Sequence, residues 1–172
     1  MAKCASKQAT LSLNGIKHWL FDWGDTLMVD FSQYQGPMCD WPAIALTEHA
    51  AECLATCARH GACHLATNAQ DSSAAQIRQA LQRGGLSRFI SHIFCVDTLG
   101  VNKSASDYFP RIAAQLQTRP EALMMVGDSL ERDIYPALAS GLQACWYNPL
   151  RHDVPAGIYA INSLQQLIRE PL

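Results

Sequence analysis

Apolar residues in this chain fall in short consecutive runs, separated by longer segments in which apolar positions recur at helical spacing. The runs cover Lys17 to Asp22, Ala62 to Thr67, His92 to Val96, Leu123 to Gly127 and Gln143 to Tyr147, with a weaker one at Gly157 to Ile161. Most are apolar on successive residues, the pattern of parallel strands covered on both faces. A helix is predicted from Asp40, with Pro42 in its first turn, to His60 before Gly61, and its apolar stripe is Ala43, Leu46, Ala50, Leu54 and Cys57. Others are predicted from the Asp71, Ser72, Ser73 cluster to Gly84, from Ser104 to Gln117, from Ser129 to Gly141 with Pro136 in an early turn, and from Ser163 to Arg169. Strand and helix alternate throughout. With right-handed crossovers this is an α/β fold, a three-layer doubly wound sandwich around a mainly parallel sheet of five to six strands, whose ligands bind at the carboxyl ends of the strands.

Composition narrows the picture. With 172 residues and 49% hydrophobic content the chain closes one core, so a single domain over residues 1–172 is expected. It carries an N-terminal extension at 1–15 and a flap-like loop at 28–40, a long irregular stretch of the kind that is often functional. A net charge of -2 offers no basic surface for a nucleic-acid backbone, and no such partner is expected. The first 15 residues lack the apolar run of a secretory signal and no stretch approaches the ~20 apolar residues of a membrane helix, so a cytoplasmic protein without a membrane partner is expected. Seven cysteines without a CxxC pair argue for reduced thiols. Cys53, Cys57 and His60, followed by Cys63 and His64, fit a small-residue helix face packed on a strand better than a metal site. His18, His64 and His92 lie on or beside strands and are expected to be packed or paired.

Candidate chemistry gathers where the runs end. The first ends in Phe21, Asp22, Trp23, Gly24, Asp25, Thr26 and Leu27, the second in Thr67 and Asn68, and the fourth in Gly127, Asp128 and Ser129 with Asp133 close behind; Lys103 follows the third. In a parallel sheet these segments share one edge. Asp22 and Asp128 supply oxygen ligands for a hard divalent cation, while the Thr67 hydroxyl, the Asn68 backbone N–H and the Lys103 ammonium are placed to hold phosphate oxygens. A carboxylate nucleophile beside an anionic group requires such screening.

This ordered set resembles the four motifs of the haloacid dehalogenase-like hydrolases, most of which are phosphatases, over residues 16 to 147. The resemblance implies that Asp22 is the nucleophile and a Mg2+ ligand, Thr67 the phosphate-binding hydroxyl, Lys103 the charge-balancing amine and Asp128 the second metal carboxylate. The Gly24 carbonyl joins the metal shell, and Asp133 supports the metal waters or Lys103. The chain departs from the family pattern at one place. A second aspartate, which protonates the leaving group and then activates water, usually stands two residues after the nucleophile and is followed by Gly-Thr. Here the order is reversed, so Gly24 takes that place and Asp25 the place of the glycine. Loss of such assistance slows turnover by about 10² to 10⁴, and Asp25 is a candidate substitute if the loop is rearranged. A phosphonate-cleaving branch shares the Asp-Trp start but relies on a cap-domain lysine. Neither usual cap position has room here, which resembles the capless branch, whose open sites serve large substrates or are closed by a neighbouring subunit in a homo-oligomer. Two functions stay open: a magnesium-dependent phosphohydrolase with a phosphorylated substrate, small or macromolecular, or a regulatory protein that keeps the phosphate and metal pocket without turnover.

Overall fold

Each of the six apolar runs contributes a strand in the computed structural model, which describes residues 13–169. The strands are β1 (His18–Phe21), β2 (Ala62–Ala66), β3 (Ile90–Phe94), β4 (Leu123–Gly127), β5 (Gln143–Tyr147) and β6 (Ala160–Ile161). They form one sheet in the order β3-β2-β1-β4-β5-β6, parallel at every pairing. Helices α1 (Ala50–Cys57), α2 (Ala74–Arg83), α3 (Val96–Leu99), α4 (Tyr108–Gln115), α5 (Tyr135–Ala139) and α6 (Leu164–Arg169) complete the sandwich. The consecutive apolar letters have a simple cause. Successive side chains point to opposite faces, so Phe21, Leu65 and Val126 enter one core with Leu54, Ile77 and Leu167, while Leu20, Ala66 and Met125 enter the other with Tyr108, Ile112 and Ala137. Among the described residues no separate cap domain is evident, and no helix is long and apolar enough to cross a membrane. Of the expected N-terminal extension, residues 1–12 lie outside the described residues.

Three predicted elements need correction. The helix expected from Asp40 begins only at Ala50, after His49 in a left-handed conformation. Residues 45–47 are instead drawn into pairing with the segment after β1: Val29 N–H donates to Ala45 O, Thr47 N–H to Leu27 O, and Thr47 Oγ1 to Thr26 O at 2.6 Å. Tertiary pairing thus overrides a helical spacing that Ala43 and Leu46 happen to share, and the irregular stretch is longer than the expected 28–40 loop. The third strand lies at Ile90–Phe94 and not at His92 to Val96, because Thr98 Oγ1 donates to Ile93 O and accepts from Cys95 N–H, turning the chain into α3. The helix expected from Ser104 starts at Tyr108, since Asn102 Oδ1 accepts from Ser104 N–H and holds a turn there. The segment after β4 enters through a π-helical turn, Leu130–Ile134, and Pro136 falls in the first turn of α5, where its missing donor costs little.

The cysteines of α1 and β2 pack as expected of small hydrophobes: Cys53, Cys57 and Cys63 are buried, and burial raises the Cys63 thiol above its ordinary pKa. The three strand histidines form a row, with His18 Nδ1 3.1 Å from His64 Nε2 and His64 Nδ1 3.3 Å from His92 Nδ1. His64 is buried between the other two. Burial, with the charges of His18 and His92 adding, pushes its pKa down to about 3. A folded-state value below the unfolded one means that folding excludes a proton, so the contribution is whole above about 6.5 and is lost as pH falls toward 3. Unfolding free energy measured with urea is therefore expected to fall by up to about 1.4 kcal/mol per pH unit below pH 6.5 from this group. A His64→Leu variant should show a correspondingly shallower acid slope, and identical slopes would contradict a buried neutral imidazole.

Candidate active site

The strand order reverses around β1, with β2 and β3 on one side and β4 to β6 on the other. A crevice opens at such a switch point beyond the carboxyl ends of the strands. The strand ends deliver the site. The N–H of Asp22 donates to Val126 O and that of Thr67 to Phe94 O, continuing the ladders for one residue past β1 and β2. Thr67 Oγ1 then accepts from Ala69 N–H at 3.1 Å, turning the chain sharply around the hydroxyl. Lys103 arrives from the loop between α3 and α4, fixed by its N–H donating to Asn68 Oδ1 at 3.2 Å. Asn68 thus has a structural contact through its side chain besides the backbone donor expected of it.

Lys103 is 2% exposed, and its ammonium donates to Asp22 Oδ1 at 2.5 Å and to Asp133 Oδ1 at 2.7 Å. Burial pulls this ammonium toward the neutral form, but the two carboxylates outweigh it and hold its pKa above the ordinary lysine value. Asp133 is buried too, and its second oxygen accepts from Ser129 N–H at 3.1 Å. Gly127 is what makes this possible: a Cβ at that position would collide with the Asp133 carboxylate. Only a residue without a side chain lets the helix after β4 bring Asp133 back against the strand.

One oxygen each from Asp22, Asp128 and Asp133 lie within 4.8 Å of one another, the only such group of metal-ligating side chains among the described residues. Asp128 Oδ1 is buried without a hydrogen-bond partner, an arrangement that costs free energy unless a cation or water meets it. Burial, followed by the charges of Asp22 and Asp133, pushes the Asp128 carboxyl up to about 6. Lys103 bonds two of these three carboxylates, so negative charge is in excess within the cluster, and all its ligand atoms are hard oxygens. This set fits a magnesium-sized divalent cation, for which Asp22 and Asp128 offer oxygens, and Gly24 lines the same cleft.

The chain matches the haloacid dehalogenase-like hydrolases over residues 24–141, more than half its length. It belongs to that family. It is 34% identical over 91 residues to YfnB of Bacillus subtilis, covering 51% of this chain and 39% of that protein. It is 32% identical over 104 residues to the pyrimidine 5'-nucleotidase YjjG of Escherichia coli, covering 56% of this chain and 44% of that protein. The chain thus spans about two fifths of the length of these curated relatives. A protein from Listeria monocytogenes shares the fold with a TM-score of 0.77 at 22% identity, over 89% of this chain and 95% of that one. YfnB, solved bound to magnesium, superposes with a TM-score of 0.70 at 18% identity, over 88% and 96% of the two chains. Likenesses this distant in sequence establish the fold alone.

This haloacid dehalogenase-like domain has a cleft of about 290 Å³, lined by Asp22, Thr67, Lys103, Asp128 and Asp133 on its floor and by Asp30, Met38 and Trp41 on one wall. Reading the chain did not single out Asp30 or Arg132, which also lines the cleft. The wall belongs to the flap segment. Trp41 Nε1 donates to Gly36 O at 3.0 Å, and the Arg83 guanidinium of α2 donates to Cys39 O at 2.6 Å. Behind Asp22, Leu27 and Met28 N–H both donate to Trp23 O, and Asp25 N–H donates to Met28 O at 2.7 Å. Asp25 sits at φ 55, a left-handed conformation that aspartate tolerates better than most residues. Its Oδ1 accepts from Asp30 N–H at 3.0 Å. Partial burial, then the charges of Asp25 and Asp22, raise the Asp30 carboxyl above its ordinary value.

Two outcomes follow from this geometry. Gly127→Ala is expected to lower stability by about 1 to 3 kcal/mol through overpacking against Asp133, read by urea or thermal unfolding; an unchanged midpoint would show that Asp133 moves freely. Because the Asp128 carboxyl is protonated below about pH 6, a cation there competes with a proton. Thermal stabilisation by Mg2+ is expected to be strong at pH 7.5 and weak at pH 5, while a pH-independent shift would place the ion elsewhere.

Proposed function

We propose that this chain is a magnesium-dependent phosphohydrolase that takes the phosphoryl group of a phosphorylated substrate onto Asp22 and passes it to water. The observation that carries this reading is the buried Lys103 ammonium bridging Asp22 and Asp133 beside the partnerless oxygen of Asp128. Membership of a hydrolase family and similarity to a protein named as a pyrimidine 5'-nucleotidase support phosphate esters as the substrate class.

Asp22 is the nucleophile because its carboxylate ends a strand at the cleft floor, 14% exposed at the side chain, with Lys103 holding one oxygen and Thr26 Oγ1 3.5 Å from the other. Lys103 orients that carboxylate and balances charge as the phosphoryl group arrives. Thr67 and Asn68 line the same cleft, and the Thr67 hydroxyl and Asn68 N–H are the preorganised donors assigned to the phosphate oxygens. Asp133, with each oxygen already bonded, fixes the lysine. When bound by Asp22 and Asp128, Mg2+ supplies positive charge that lets the anionic ester approach a carboxylate. Gly24 contributes no side chain to the leaving-group side, so a proton for the departing oxygen cannot come from residue 24.

An activated aryl phosphate needs little protonation of its leaving group and is expected to be hydrolysed in the presence of Mg2+. Asp22→Asn should remove that activity, with loss of at least about 10³-fold. Equal rates in the variant and the parent, measured by release of p-nitrophenol from purified protein, would refute the mechanism.

A further inference from the structure

Breaking a phosphate ester places negative charge on the departing oxygen, and an alkoxide leaves only when a proton meets it. The acids of the cleft are differently occupied. Asp22 is bonded to Lys103, both oxygens of Asp133 are bonded, Asp128, with its partnerless Oδ1, belongs to the cation cluster, and Asp25 is bonded through Oδ1 to the loop. Asp30 is not: its carboxylate oxygens accept no hydrogen bond from another described residue, and its side chain lines the cleft. Its position is informative. A Cβ built on Gly24 would lie 3.3 Å from Asp30 Oδ2 and 3.5 Å from Asp30 Cβ. The space into which a side chain two residues after Asp22 would grow therefore adjoins the carboxylate of a residue six positions further along.

The turn explains how this comes about. Bonds from Leu27 and Met28 to Trp23 O and from Asp25 to Met28 O fold residues 23–28 tightly back. Val29 N–H is held by Ala45 O, and Asp30 N–H by the Asp25 carboxylate. The chain returns beside Gly24 with Asp30 at a fixed place, and the absent side chain at residue 24 leaves the room.

We propose that Asp30 is the general acid and base of this site and that Asp25 is its positioning residue. The assignment rests on the phosphohydrolase reading above. In the first half-reaction an Asp22 oxygen bonds to phosphorus while the bond from phosphorus to the ester oxygen breaks, and the Asp30 carboxylic acid gives its proton to that oxygen, releasing an alcohol. In the second, the Asp30 carboxylate takes a proton from water as the water oxygen bonds to phosphorus and the Asp22–phosphorus linkage breaks. Inorganic phosphate leaves, and both aspartates return to their starting states.

The test compares kcat/KM for a series of phosphate monoesters of rising leaving-group pKa, with Mg2+, in the parent, Asp30→Asn, Asp71→Asn, Gly24→Asp and the double variant Gly24→Asp/Asp30→Asn. Asp30→Asn is expected to lose about 10²-fold or more on an alkyl phosphate but only a few-fold on p-nitrophenyl phosphate. The double variant should regain about tenfold on the alkyl ester, by supplying a carboxyl from residue 24. Asp71, an exposed cleft residue with no such relation to Gly24, should show no loss that grows with leaving-group pKa. A uniform loss across the series, a steep dependence in Asp71→Asn instead, or a strong gain from Gly24→Asp alone with Asp30 intact would overturn the role of Asp30. If Asp22→Asn abolishes turnover while Asp30→Asn matches the parent, this inference fails and the phosphohydrolase reading stands. If the parent hydrolyses no ester, both fall.

Discussion

A lysine ammonium buried between two carboxylates is the constraint around which this domain is organised. Taken out of water alone, that charge would be costly, and so would either acid. Together they are mutually satisfied, and three distant parts of the chain are locked in one arrangement: the end of β1 through Asp22, the loop before α4 through Lys103, and the π-helical turn after β4 through Asp133. The requirement propagates outward. Gly127 must lack a side chain for Asp133 to reach the lysine, and Asn68 must accept from the Lys103 backbone to keep that loop in register.

The same arrangement leaves negative charge in excess, which turns a structural ion pair into a site. Asp128 adds a carboxylate with one buried oxygen that no described group meets with a hydrogen bond. A sheet whose strands all run one way delivers these groups to a single edge, so the chemistry is concentrated without any residue having to leave its strand or adjoining turn. What the protein adds to a general scaffold is the loop from Trp23 to Asp30, where the order of one glycine and one aspartate decides which carboxylate overlooks the leaving-group side.

Much of this was legible in the letters. Six apolar runs gave six strands because burial on both faces leaves a clear pattern in the central ones, β1, β2, β4 and β5, and the acids, threonine and lysine following them were found because parallel strands must end together. The failures share one cause. The segment 40–49 carries helical spacing, yet its backbone bonds to residues 26–29, a pairing with no signature within the segment itself. Val96 looks like the end of a strand, and the hydroxyl of Thr98 bends it into a helix. Asp30 escaped notice for a related reason. Its relation to Gly24 arises from a tight turn and a side-chain contact made by Asp25, and nothing in the spacing of acidic residues announces it.

The tie between Arg83 and the carbonyl of Cys39 has a mechanical consequence. One bank of the cleft, carrying Met38 and Trp41, hangs from α2 by a guanidinium, and α2 is itself set firmly by a reciprocal cap at Ser73 and Gln76. The place of that bank is therefore set in part by a strut anchored in the scaffold, so that a change at Arg83, which does not line the cleft, can alter which molecules are admitted.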